Sequence, residues 1–142
     1  MYTTIAKFKS ALKREFDSIY SNDAGVVDET LAVDDLTAAA AAIDGKINVR
    51  YAIPVIAPES LPLLESWNLT LAKELAYARS EGTTIPEKIK TLADAVRNQL
   101  DAIADGDRKL PGAARENSKG VGAVSIVSSS KPIFKREQMR GF

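Results

Sequence analysis

The chain contains neither cysteine nor histidine. That removes disulfides, thiolate nucleophiles, imidazole bases and nearly every transition-metal site at once. No cofactor or metal is expected. Long apolar runs are missing too: nothing approaches the roughly 20 residues that a membrane span requires. The first residues, MYTTIAKFKSALKREF, alternate charge with apolar side chains and lack the unbroken apolar core of a signal peptide. A soluble protein without a membrane partner is the expectation. An excess of charge is the last absence. Nineteen basic residues balance nineteen acidic ones, so the chain as a whole lacks the positive field that drives non-specific binding to nucleic acid.

What is present is helical periodicity. At 142 residues the chain has the length of one ordinary domain. Ile5, Phe8, Leu12, Phe16 and Ile19 recur at three- and four-residue spacing and predict an amphipathic first helix. Ser21, Asn22, Asp23 and Gly25 form a turn cluster, and the Asp28 carboxylate suits the free amides of a second helix. Leu36, Ala40, Ile43 and Ile47 hold that helix's inner face around an alanine run, Ala38 to Ala42. Pro54, Pro58 and Pro62 then force a turn.

Ser60 is placed to cap a third helix, with Pro62 in its first turn and Leu64, Trp67, Leu71, Leu75 and Ala78 facing inward. Trp67 belongs to that core register. Thr84 and Glu87, with Pro86 between them, have the spacing of a reciprocal cap for a fourth helix. Its seam runs through Ile89, Leu92, Val96, Leu100 and Ile103, and Gly106 sits where a left-handed C-cap belongs. The fold class expected is all-α: a four-helix domain over residues 1–110, with an extended C-terminal segment over 111–142. In that segment GVGAVSIV reads as a strand or β-hairpin. It lacks the Gly-Lys-Ser/Thr ending of a phosphate loop.

No constellation of catalytic type is visible. Asp34 and Asp35 are adjacent, which on a helix sets their carboxylates about 100° apart. Asp17, Asp23 and Asp28 lack the oxygen spacing of a calcium loop. Solvated or capping roles are expected for all of them, and an enzyme is not.

The order of parts from Gly25 to Gly112 resembles the Mu-like phage head-to-tail adaptor family. The resemblance rests on the Gly25 turn and Asp28, the triplet Ile43-Asp44-Gly45, the exit Arg50-Tyr51 with Pro54, the pair Leu63-Leu64, and the ending Ile103-Ala104-Asp105-Gly106 with Leu110. It implies a non-enzymatic virion protein, an all-helical subunit forming a ring, expected to be dodecameric, between portal and tail. The implied partners are the portal protein, further copies of the chain, and a neck or tail terminator protein on the tail side. DNA would pass through the channel without sequence-specific contact. The implied location is the head–tail junction, reached from the host cytoplasm during assembly.

The C-terminal stretch is the candidate arm for the portal or an adjacent subunit: Ile133, Phe134, Met139 and Phe142 are apolar anchors among Lys135, Arg136 and Arg140. Arg50 and Tyr51 are candidates for an intersubunit contact, or alternatively for local support of the loop, with Tyr51 packed beneath it and Arg50 paired with a carboxylate. The rival from another class is a cytoplasmic helical binding or regulatory module acting as monomer or dimer. The charge balance yields a direct expectation: in a gel-shift titration at physiological salt, the isolated protein should show no tight, steeply salt-dependent binding to duplex DNA.

Overall fold

The computed structural model describes residues 1–80 and 84–114. Five α-helices run through them: α1 (Ile5–Leu12), α2 (Arg14–Tyr20), α3 (Glu29–Ile47), α4 (Leu61–Arg79) and α5 (Glu87–Asp105). Among the described residues there is no sheet, only an isolated antiparallel bridge between Ser21 and Val27 that closes the turn before α3. The three long helices have 19 residues each, rods of about 28 Å at 1.5 Å per residue, and they pack on one another. The pair α1 and α2 lies against α3 and α4 and does not reach α5. The GVGAVSIV segment lies outside the described residues.

The periodicity predicts one continuous first helix; the structure divides it at Lys13, which has φ 55° and ψ −125°. The reason lies in the aromatics. Along a straight helix Phe8 and Tyr20 would stand about 18 Å apart. The break folds α2 back, bringing the Phe8 ring to 6.2 Å from both Phe16 and Tyr20, and Phe16 to 4.8 Å from Tyr20. All three rings are buried. Tyr20 is fully buried, while Ile19 is only half-buried.

The start of α3 follows expectation: the Asp28 side chain accepts from the Thr30 amide at 2.9 Å. Small residues then let the rods approach closely, with Ala32, Ala39 and Ala40 of α3, Ala72 and Ala76 of α4, and Ala93 of α5 all buried. Large side chains fill the space between them, chiefly Leu36, Ile43, Ile47, Leu64, Trp67, Leu100 and Ile103. Such interdigitation of small and large residues yields close packing without voids.

Four details of the helix ends and faces differ from the sequence pattern, the first being Ala78 of α4, which is exposed while Ala76 and Tyr77 beside it are buried. Ser60 precedes α4 but caps nothing; it is fully buried and its hydroxyl donates to the Pro111 carbonyl. Pro86 occupies the N-cap position of α5, and no side chain caps that end, so Thr84 and Glu87 do not form a reciprocal cap. In α5 it is Ala93 that faces inward while Leu92 is about half exposed, because the buried stripe follows 89, 93, 96, 100 and 103. The expected left-handed cap is present: Gly106 has φ +92°.

The Lys13 backbone sits in a region that glycine enters freely and other residues enter at a cost of order 1–3 kcal/mol. Lys13→Gly should therefore stabilise the fold by about 1 kcal/mol after the extra unfolded-state entropy of glycine is set against the relief. Lys13→Val should destabilise it. Thermal denaturation of the two variants beside the parent checks both signs.

Candidate interaction surfaces

The loop from 48 to 60 joins α3 to α4 and is held from four sides. Arg50 reaches the C-terminal end of α5, where its Nε donates to the Ala104 carbonyl at 2.7 Å and its Nη2 to the Asp105 carbonyl at 2.6 Å. A helix C-terminus carries unpaired carbonyls and the negative end of the dipole, so a guanidinium there satisfies both needs. The fit is close: a Cβ on Gly106 would stand 2.6 Å from the Arg50 Cζ. Glycine thus serves the left-handed turn and the seat of the arginine together.

Tyr51 is buried, and its hydroxyl accepts from the Leu110 amide at 3.1 Å. Val55 is buried too, with its amide directed at the Tyr2 hydroxyl at 3.5 Å. Tyr2 itself donates its phenol to Asp44, while its backbone amide donates to Asn68 Oδ1 at 3.1 Å. Burial, with the hydrogen bond to Asp44, pushes the Tyr2 phenol up to about 12, so it remains a donor at any physiological pH. Ser60 supplies the fourth tie through Pro111. The peptide between Ile53 and Pro54 is cis.

Two of the sequence blocks that carry the family resemblance, Arg50-Tyr51 and Ile103 to Leu110, are therefore partners of each other. Arg50 and Tyr51, candidates for an intersubunit contact or for local support, both have partners within the chain: Tyr51 packs beneath the loop, and Arg50 bonds to carbonyls and not to a carboxylate. Ile133, Phe134, Lys135, Arg136, Met139, Arg140 and Phe142 lie outside the described residues.

With its interior side anchored, the loop turns apolar side chains outward. Val49 is 57% exposed, Ile53 42% and Ile56 81%, and Leu61 follows at 40%. Beside them a cleft of about 440 Å³ opens between the loop, at Ala52, Pro54, Ile56 and Pro58, and the chain at Gly112, Ala113 and Ala114. A second groove, about 320 Å³, runs over Ala38, Ala42, Leu71, Leu75 and Leu100 where the three long helices meet. Its rim is charged and self-paired, Lys46 with Asp101 at 2.6 Å and Arg97 with Glu74. Exposed pairs of this kind contribute at most about 1 kcal/mol.

Sequence reasoning missed the burial of Asp35. Asp35 is not solvated: it is 4% exposed, accepts from the Tyr20 hydroxyl at 2.7 Å, and holds Arg79 through Nη2 at 2.7 Å and Nε at 3.2 Å. Burial and the bond to Asp35 push the Tyr20 phenol well up, and that same carboxylate raises the already high Arg79. The available signal was the i, i+4 spacing of Asp35 with Ala39 and Ile43, which puts it on the inner face of α3. Asp17, Asp23 and Asp34 are exposed. Among the described residues no cluster of acidic side chains has the grouping of a metal site, and no helix is long and apolar enough to cross a membrane.

The described residues thus form an all-helical fold in which four exposed aliphatic side chains, Val49, Ile53, Ile56 and Leu61, lie on or beside one anchored loop. The chain belongs to the Bacteriophage Mu, Gp36 family, whose model matches residues 2–128. No curated protein matches it. The match begins well before the Gly25 turn and so takes in the aromatic pair of N-terminal helices.

Asp35 is the acceptor for two donors, so its loss should exceed that of either donor. Asp35→Ala should cost about 2 to 3 kcal/mol, at the low end for a broken buried ion pair because Arg79 keeps access to water. Tyr20→Phe should cost about 1 kcal/mol. Urea unfolding of the two variants tests this order.

Proposed function

We propose that this protein is a structural component of a Mu-like phage particle, an adaptor that assembles as a ring between the portal and the tail and performs no catalysis. The family match supports a phage protein, and the order of parts resembles head-to-tail adaptors. The observation that carries the reading furthest is the outward aliphatic loop. Large exposed apolar side chains clustered on a fixed segment characterise surfaces that become buried on association.

The polar interior is consistent with a purely structural role. Asp35, Arg79, Tyr20, Tyr2, Asp44, Asn68 and Ser60 all have partners within the fold, and buried groups committed in this way stabilise the subunit without serving chemistry. The C-terminal arm, Ile133 to Phe142, would meet the portal or an adjacent subunit, and a neck or terminator protein would meet the opposite face. DNA would pass through the ring.

Light scattering on the full chain, alone and mixed with the portal protein of its own phage, tests the proposal. A multi-subunit ring, formed alone or only on the portal, is the expected result. A mass that stays at one or two subunits in both conditions would overturn it.

A further inference from the structure

The cleft beside the α3–α4 loop has a feature that the helical groove lacks: it opens at the root of the C-terminal segment. Pro111 is tied to Ser60, and Gly112, Ala113 and Ala114 form one wall. The next residues, Arg115, Glu116, Asn117, Ser118 and Lys119, are all polar or charged. They are unsuited to an aliphatic cleft. Beyond the GVGAVSIV stretch, the first large apolar side chains are Ile133 and Phe134, which follow Pro132. An extended stretch of that length reaches up to about 65 Å, whereas a folded unit of this size has a radius of gyration of about 13 Å. That length is sufficient to span to a second copy.

We propose that this cleft, with the exposed Ile53 and Ile56 at its edge, receives the C-terminal apolar segment of a second copy of the chain, Ile133 and Phe134 foremost. The inference rests on the ring-forming reading above and names the contact that would close the ring. A head-to-tail arrangement uses two different patches on each subunit, so every copy both offers an arm and accepts one. The two patches are different in kind here, one an anchored loop with a cleft and the other a linear segment. The loop is also pre-organised by Arg50, Tyr51, Val55 and Ser60, so seating a segment on it requires little further ordering of the acceptor. A segment docking onto its own root would have to double back to the point it had just left.

The absence of native cysteine makes the test direct. Full-length Ile56→Cys and Phe134→Cys chains are mixed under mild oxidation, alone and with the portal protein, and masses are followed by light scattering. Val26→Cys, exposed in the turn before α3, replaces Ile56→Cys as the control for random collision. A disulfide-linked heterodimer, at least about tenfold more abundant than with the control and absent from either variant alone, is expected. Ile56→Glu should reduce self-association by about tenfold or more without loss of helical content, since that side chain supports nothing inside the subunit.

In a single chain carrying both Ile56→Cys and Phe134→Cys, a monomeric internal disulfide would assign the cleft to the chain's own segment and overturn the proposal. Homodimers of Ile56→Cys alone would indicate loop-to-loop contact and overturn it as well. No cross-link in a mixture that still forms rings would sink this contact and leave the ring intact, whereas a persistent monomer, with portal present, would sink both.

Discussion

The contact on which the rest of this structure depends is the meeting of the α3–α4 loop with the end of α5. Arg50 seats its guanidinium on the last carbonyls of α5, and Tyr51 takes the Leu110 amide. The two residues are neighbours in sequence, yet together they join segments more than fifty positions apart. Without them a proline-rich loop and a helix C-terminus would each leave backbone groups unsatisfied. With them, the loop becomes a rigid platform, and its outward side chains acquire a fixed geometry.

On the other side of the α3 and α4 pair, the N-terminal helices act as a folded aromatic cover. Phe8, Phe16 and Tyr20 cluster, and Tyr20 extends that cluster into polar contact with Asp35 and, through it, Arg79. A buried ion pair is weak evidence of net stability, because desolvation opposes its attraction. Its clearest effect is on register. One carboxylate must accept from α2 and from the end of α4 at once, which sets how those helices lie on α3.

These arrangements separate the interior from the exposed aliphatic surface. The residues on which the sequence resemblance rests lie mostly at internal contacts: Ile43 and Ile103 in the core, Asp44 beneath Tyr2, Arg50 on α5, and Gly106 under Arg50. They describe how the fold is built. The exposed aliphatic surface is carried instead by side chains such as Ile53 and Ile56, whose identity the fold itself does not demand.

The sequence by itself determined the all-helical class, the extents of the long helices, the Asp28 cap and the Gly106 stop, because each follows from local spacing or from the conformational limits of a single residue type. The core position of Trp67 was legible for the same reason. Tertiary structure alone decided the break at Lys13, the burial of Asp35, the use of Ser60 as a tie to Pro111, and the assignment of Arg50 to carbonyls of α5. Each depends on a partner that is distant along the chain or on an aromatic cluster that outweighs local helical geometry. Periodicity records which face of a helix is apolar; it carries no record of what stands opposite that face, and there the free energy of these contacts is decided.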